Sequence, residues 1–289
     1  MTQLLPWRFT YASTQGRSHV AGDVPCQDSS LCTLLDDDGL RVLVAAVSDG
    51  AGSASHSEIG SRLACASFVQ HICARIHQQD AALPLERSDV EAWLADFGEQ
   101  IKDKADDLGL TPRDLACTFL GAVITSTWSA FCQVGDGGIV VGMPGEADAT
   151  ARFELVFWPE QGEYANETYF ATMAGAPEHL RFRLDNGAVR EVVLFSDGLQ
   201  RMVLRYDVRE PFEPFFHRML QTVRRITDVS GDLHELSRGL AAYLGSPVVS
   251  ERTDDDVSLV LATRCSELAD PSPPAPQSEE IVEDAPELT

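Results

Sequence analysis

The sequence predicts an α+β fold in which helices pack on antiparallel sheets. Two observations carry this. Apolar strand-like segments occur in runs, and segments with helical periodicity occur in pairs between those runs. A strict strand–helix alternation, the mark of a parallel α/β sheet, is missing.

Trp7, Phe9 and Tyr11 alternate with polar residues, as in a half-buried strand. Leu31–Leu35 and Arg41–Val47 flank Asp36-Asp37-Asp38-Gly39, which predicts a hairpin. Ser55 and Glu58 have capping-box spacing ahead of Ile59–Ile76, a long apolar-periodic helix. A second helix is expected over Val90–Leu108. Strands are expected at Thr118–Thr125, Ala130–Val134, Phe153–Phe157 and Val189–Phe195. Helices over Pro214–Ile226 and Leu233–Leu244 precede a last strand, Val257–Ala262.

The chain has 289 residues, enough for a substantial core. Residues 1–264 read as one folded unit. Residues 265–289 hold five prolines and seven acidic residues with no Lys or Arg. Such a stretch cannot bury enough apolar surface to offset its ordering entropy and reads as a disordered acidic, proline-rich tail.

No apolar run approaches the ~20 residues that cross a bilayer. The segment from Met1 to Arg8 has no basic stretch followed by an apolar one, so a cytoplasmic location is expected. The formal charge of −23 argues against nucleic acid and anionic membrane as partners. It leaves room for a phosphorylated substrate, because bound cations reverse the sign locally. The seven cysteines, Cys26, Cys32, Cys65, Cys73, Cys117, Cys132 and Cys265, form no CxxC pair, so a zinc site is not expected.

One pattern occurs twice. Val42–Val47 runs into Ser48-Asp49-Gly50, and Val192–Phe195 runs into Ser196-Asp197-Gly198. Each is a buried strand ending in an aspartate and a glycine that lets the chain turn. A third segment reverses the order: Asp254-Asp255-Asp256 precedes Val257–Leu261. Between antiparallel neighbours the end of one strand lies beside the start of the next. Asp49, Asp197 and Asp255 are therefore expected to meet at one sheet edge. Carboxylates converging beside a core repel unless protons or cations neutralise them. Oxygen-only ligands select hard cations such as Mg²⁺, Mn²⁺ or Ca²⁺. Asp-Gly alone is a common turn dipeptide; its repetition with the triple aspartate makes the signal.

At Ser48-Asp49-Gly50-Ala51-Gly52, Gly135-Asp136-Gly137, Phe195-Ser196-Asp197-Gly198 and Asp255-Asp256-Val257-Ser258 the chain resembles the metal-dependent protein phosphatases of the 2C type. Gly16-Arg17-Ser18-His19, Pro25-Cys26-Gln27-Asp28-Ser29 and Gly162–Thr168 resemble the bacterial subset of that family. The resemblance covers roughly residues 7–263. It implies an α+β sandwich of two packed antiparallel β-sheets flanked by pairs of α-helices. It also implies hydrolysis of phosphoserine or phosphothreonine by direct attack of a metal-bridging hydroxide. The implied cofactors are two Mn²⁺ or Mg²⁺ ions, with a third, weaker one. The implied partners are a phosphorylated protein and the Ser/Thr kinase that acts on it.

Carried over by position, Asp49 bridges both cations with the Gly50 carbonyl on one, and Asp197 and Asp255 hold the other. Asp28 matches a carboxylate that orients bound water, and Asp136 the ligand of the third cation. Asp28, Asp49 and Asp197 are thus the implied catalytic set. Thr118 reads as a buried hydroxyl satisfied by backbone. Three departures from the family pattern stand out. Gln27 replaces a frequent Glu, Ala51 an occasional His, and Asp23 a phosphate-binding Arg. Arg17, His19 and His56 are the remaining candidates for phosphate. A phosphoprotein-binding pseudophosphatase and a small-molecule phosphohydrolase stand as alternatives.

Overall fold

The computed structural model describes residues 6–37, 40–78, 83–143, 152–158, 168–187, 189–226 and 230–264. It opens with strand β1 (Arg8–Thr14) and a one-turn helix α1 (Arg17–Gly22). The hairpin β2 (Ser29–Asp37) and β3 (Leu40–Ser48) follows, then the long helices α2 (Ser57–Gln78) and α3 (Arg87–Leu108). Next come β4 (Phe119–Ile124), β5 (Trp128–Val134), β6 (Gly138–Met143), β7 (Arg152–Leu155), β8 (Arg181–Asn186) and β9 (Glu191–Phe195). A short helix α4 (Gln200–Val203) leads to a two-residue ladder, β10 (Leu204–Arg205) and β11 (Glu210–Pro211). The chain then runs through α5 (Glu213–Arg224), β12 (Gly231–Asp232), α6 (His234–Leu244), α7 (Pro247–Ser250) and β13 (Val257–Thr263).

Two sheets form the centre, one in the order β12-β1-β13-β9-β6-β7 and the other β2-β3-β4-β5-β8. Every pairing in them is antiparallel except the two-residue contact of β12 with β1. The strand period of two explains the layering. Along β3, Leu43, Ala45 and Val47 face the other sheet and meet Ile139, Val192, Leu194 and Val260. The intervening Val42, Val44 and Ala46 face outward onto Phe68, Ile72, Trp93 and Phe97 of α2 and α3. Outside the first sheet, Val193, Phe195, Leu259 and Leu261 pack under Phe216, Leu220, Leu240 and Leu244 of α5 and α6. Central strands buried on both faces read as continuous apolar runs, which is why the sequence shows them so clearly. The predicted α+β sandwich is the observed architecture.

Several elements were not expected, among them α1, β6 and β8. α1 buries none of its residues, so it leaves no periodic signal. β6 begins at Gly138, directly after the Gly135-Asp136-Gly137 turn, and its short glycine-bounded run was not read as a strand. β8 alternates Arg181, Arg183 and Asp185 with apolar residues at a sheet edge, where Arg183 pairs with Asp185 and with Glu154 of the other sheet. The capping spacing at Ser55 and Glu58 is not used as a box: the Ser55 hydroxyl instead donates to Asp114 at 3.0 Å. The tip of the hairpin at Asp38-Gly39, the segment Gly162–Glu167 and residues 265–289 lie outside the described residues.

Candidate metal centre

Four aspartates reach one end of the sandwich from elements of both sheets. The expectation of a single sheet edge is therefore corrected. Asp49 follows β3 of one sheet, whereas Asp197 follows β9 and Asp255 precedes β13 of the other. Both sheets end at the same place, and the loops at their common end hold the carboxylates.

Asp49 is fixed through its backbone. Its N–H donates to the Thr118 hydroxyl at 3.1 Å, and its carbonyl accepts from the Thr118 N–H at 2.8 Å. Thr118 is thus a buried hydroxyl satisfied by backbone, as expected. Gly50, which bridges to Cys117, leaves no room for a side chain: a Cβ there would lie 2.6 Å from the Gln27 carbonyl. Asp136 sits at the β5–β6 turn between Gly135 and Gly137, both at φ 91°, a left-handed region that favours glycine. Its carboxylate accepts from the Thr168 hydroxyl at 3.1 Å. Asp197 opens a 3₁₀ turn, Asp197–Leu199, directly after Ser196, whose hydroxyl accepts from the Ser258 N–H at 2.9 Å.

One carboxylate oxygen from each of Asp49, Asp136 and Asp197 lies within 4.8 Å of the others. Unit charges about 4 Å apart repel by about 4 kcal/mol at an effective dielectric near 20. Three ionised carboxylates at that spacing cannot coexist uncompensated. The Asp49 carboxyl is accordingly raised well above the ordinary range, first by burial and then by Asp28 and Asp197. Burial likewise raises Asp197 and Asp136, with Asp255 adding to both. Asp255 is exposed at the rim of this cluster, its carboxylate accepting from the Asp256 N–H at 2.9 Å.

Asp28 lies buried beside Asp49, and burial raises its carboxyl to about 7. The Ser196 and Ser258 hydroxyls offset part of that rise but form no aligned hydrogen bond with it. Both Asp28 carboxylate oxygens and Asp197 Oδ1 are buried without a hydrogen-bond partner. Among the described residues no Lys or Arg pairs with Asp28, Asp49, Asp136 or Asp197. An all-oxygen donor set with orphaned buried oxygens and raised pKa values fits hard divalent cations.

The three phosphate candidates are all engaged elsewhere. Arg17 is exposed and pairs with Asp254 at 2.7 Å. His19 Nδ1 lies 2.9 Å from Asp256 Oδ2. His56 is half-buried, with Nδ1 2.9 Å from the Ser55 hydroxyl. Of the departures, Gln27 is buried with its amide donating to the Ala54 carbonyl at 3.3 Å. Ala51 packs against Ala54 and Ala116. Asp23 is exposed in a left-handed turn at φ 52°.

Sequence reasoning missed Asp256. It is 2% exposed, and its carboxylate accepts from the Gly16 N–H at 2.7 Å and the Gln27 N–H at 2.5 Å, with His19 Nδ1 close by. It thereby ties the segment carrying Asp28 to the start of β13. Strand periodicity puts Asp255 and Asp256 on opposite faces, but nothing in a run of three aspartates says which faces the cations.

The family model described as protein phosphatase 2C matches residues 15–244. Serine/threonine-protein phosphatase 3 of Escherichia coli K12 is 35% identical over 261 residues, covering 89% of this chain and 98% of that protein. The catalytic domain of the phosphatase PstP, solved with two manganese ions, superposes with a TM-score of 0.55 at 16% identity, covering 90% of this chain and 98% of that one. The Staphylococcus aureus phosphatase Stp1 superposes at 0.54 and 15% identity, covering 90% and 95%. Those two structures carry the fold; the family model and the E. coli relative carry the family. The chain belongs to the protein phosphatase 2C family.

Proposed function

We propose that this chain removes phosphate from phosphoserine and phosphothreonine in proteins, at a centre where Asp49, the Gly50 carbonyl, Asp136, Asp197 and Asp255 hold Mn²⁺ or Mg²⁺. The observation that carries this reading is the convergence of Asp49, Asp136 and Asp197 within 4.8 Å, with buried oxygens left unpaired. The E. coli relative is named a serine/threonine-protein phosphatase, and the PstP domain was solved with two manganese ions. Cations bound here would acidify a water and offset the charge of a phosphoryl group.

The chain's own residues have distinct tasks. Asp49 faces Asp28, Asp136 and Asp197, which all act on its carboxyl, and it would hold both cations. Asp197 and Asp255 approach from the opposite sheet. Asp28, buried and without an aligned partner, accepts a hydrogen bond from water held beside Asp49 and so orients it. The thiols nearby take no part as nucleophiles: burial pushes Cys117 up to about 12 and Cys26 and Cys65 higher still, so none supplies thiolate near neutral pH. The substrate is a phosphoprotein, and a Ser/Thr kinase acts in opposition. No described helix is long and apolar enough to cross a membrane.

The test strips the protein with EDTA and follows both calorimetric Mn²⁺ binding and phosphate release. Phosphopeptides, nucleotides and sugar phosphates serve as separate substrates. Turnover of phosphopeptides that returns with Mn²⁺ is expected. Full turnover in the stripped protein, or turnover of nucleotides alone, would overturn the proposal.

A further inference from the structure

The Asp136 turn has little stiffness of its own. Both flanking residues are glycines at φ 91°, and no side chain of theirs braces the loop. Three side chains from outside hold it: Gln133 Nε2 donates to the Gly135 carbonyl at 2.9 Å, and two more act on Asp136 and Gly137. Thr168 donates to the carboxylate itself. On the other side Gln200 Nε2 donates to the Gly137 carbonyl at 3.0 Å. Gln200 begins α4, one residue past the turn that Asp197 opens. One side chain therefore spans from the element carrying Asp197 to the turn carrying Asp136. Its other amide atom is also used: Gln200 Oε1 accepts from the Tyr206 hydroxyl at 3.0 Å. The Tyr206 ring meets Trp158 edge-on at 6.4 Å, with the Arg209 guanidinium 5.7 Å from the Trp158 ring centroid.

We propose that Gln200 is a positioning residue that fixes the Asp136 turn against the Asp197 turn, with Tyr206 as its outer clasp, and that this pair sets the affinity of the cation site to which Asp136 contributes. The inference rests on the metal-dependent reading above. The chemistry favours an amide in this place. Gly137 offers a carbonyl and needs a donor, whereas Tyr206 offers a hydroxyl and needs an acceptor. A Gln side chain supplies both at once and has the reach. Without it the Gly137 carbonyl loses its side-chain donor, and the Gly137 side of the turn can shift Asp136 relative to Asp49 and Asp197. Asp136 is one of the three clustered carboxylates, so a cation it helps to hold is sensitive to such drift.

The experiment compares wild type with Gln200→Ala, Gln200→Glu, Tyr206→Phe and Asp136→Ala, using the full chain. Mn²⁺ binding to stripped protein is measured by calorimetry, alongside the Mn²⁺-activation curve and near-ultraviolet dichroism as a check of fold. Gln200→Glu keeps the acceptor for Tyr206 but loses the donor to Gly137. Loss of an outer contact of this kind typically weakens a metal site ~10–100-fold. Gln200→Ala and Gln200→Glu are expected to weaken the weakest binding step about tenfold and leave the tighter steps in place. Tyr206→Phe is expected to weaken the same step by about two- to threefold, since it removes only the clasp. Tyr206 lies at the surface and its ring is retained, so this variant carries the test if a Gln200 variant fails to fold. Isotherms superimposable on wild type in the Gln200 variants, with the weak step lost in Asp136→Ala, would overturn the clip and leave the metal centre standing. An unchanged isotherm in Asp136→Ala would overturn both.

Discussion

Glu191 and Asp197 bracket one strand, β9, and the protein treats these two carboxylates in opposite ways. Glu191, at the start of the strand, is fully buried. Arg224 of α5 pairs with both of its oxygens, and the Thr263 hydroxyl donates to one of them at 2.9 Å. Asp197, just past the end, lies roughly 20 Å away at ~3.3 Å per residue. It faces Asp49 and Asp136 and keeps one buried oxygen without a partner. A carboxylate that the chain neutralises itself is a structural rivet. A carboxylate surrounded by others, with no Lys or Arg paired to it among the described residues, suits a bound cation. The contrast, more than the acidity alone, marks one end of the sandwich as the working end.

Exchanging charge at the two ends is the most severe test. Asp197→Asn should cut turnover by at least about 10²–10³-fold, the usual loss when one preorganised electrostatic group is removed. The metal-free variant should be as stable as wild type or more so, because one repelling charge is gone. Glu191→Ala should do the reverse. Breaking a buried pair removes the carboxylate that Arg224 holds and costs about 3–5 kcal/mol of stability, while turnover per folded molecule persists. Denaturant melts and single-substrate kinetics on both variants suffice. Equal stability losses at the two ends would erase the distinction drawn here.

A smaller effect is expected from pH. Asp28, Asp49, Asp136 and Asp197 are all raised in the folded state, mainly by burial. Each therefore holds its proton more tightly when folded than when unfolded. Above the folded pKa the cluster destabilises the protein, and protonation relieves this. Stability of the metal-free protein should rise as pH falls from about 8 through the Asp28 value of about 7, and level off near the ordinary carboxylate value of about 4. Saturating Mn²⁺ should reverse the slope, since protons and cations compete for the same oxygens. Thermal melts across pH with EDTA and with Mn²⁺ check both halves. A flat metal-free profile between pH 5 and 8 would deny that these carboxylates crowd one another.

Much of this division could be read from the sequence, and the unread part has a common cause. Strands buried on both faces announce themselves as apolar runs, so β3, β9 and β13 and their flanking aspartates were visible. Elements at edges or on the surface, α1 and β8, carry no such run. Contacts between distant residues left no trace either. Asp256 reaches Gly16 across 240 positions, and Gln200 reaches Gly137 across 63. Ser55 and Glu58 show the opposite failure: a local spacing with the right form was overridden by a partner, Asp114, that only the fold brings near. The pairing of Glu191 with Arg224 belongs to the same class. Nothing in the sequence separates that glutamate from the other acidic residues.

The smallest effect expected is that of residues 266–289. β13 starts beside the metal centre at Asp255 and ends at Thr263, next to Glu191. β13 is about 20 Å long at ~3.3 Å per residue of strand, so Thr263 sits at the far end of the sheet from Asp255. Charge works against contact between residues 266–289 and the rest of the chain, because the segment carries seven acidic residues and the whole chain has a formal charge of −23. Cations at the centre would draw those acidic groups in the other direction, and this makes the truncation informative. With repulsion dominant, deleting 266–289 should leave kcat and KM for a small phosphate ester within about twofold of wild type at low salt, where charge effects are largest. A KM that falls further on deletion, and a difference that fades as salt is added, would show instead that the acidic segment competes with phosphate for the working end.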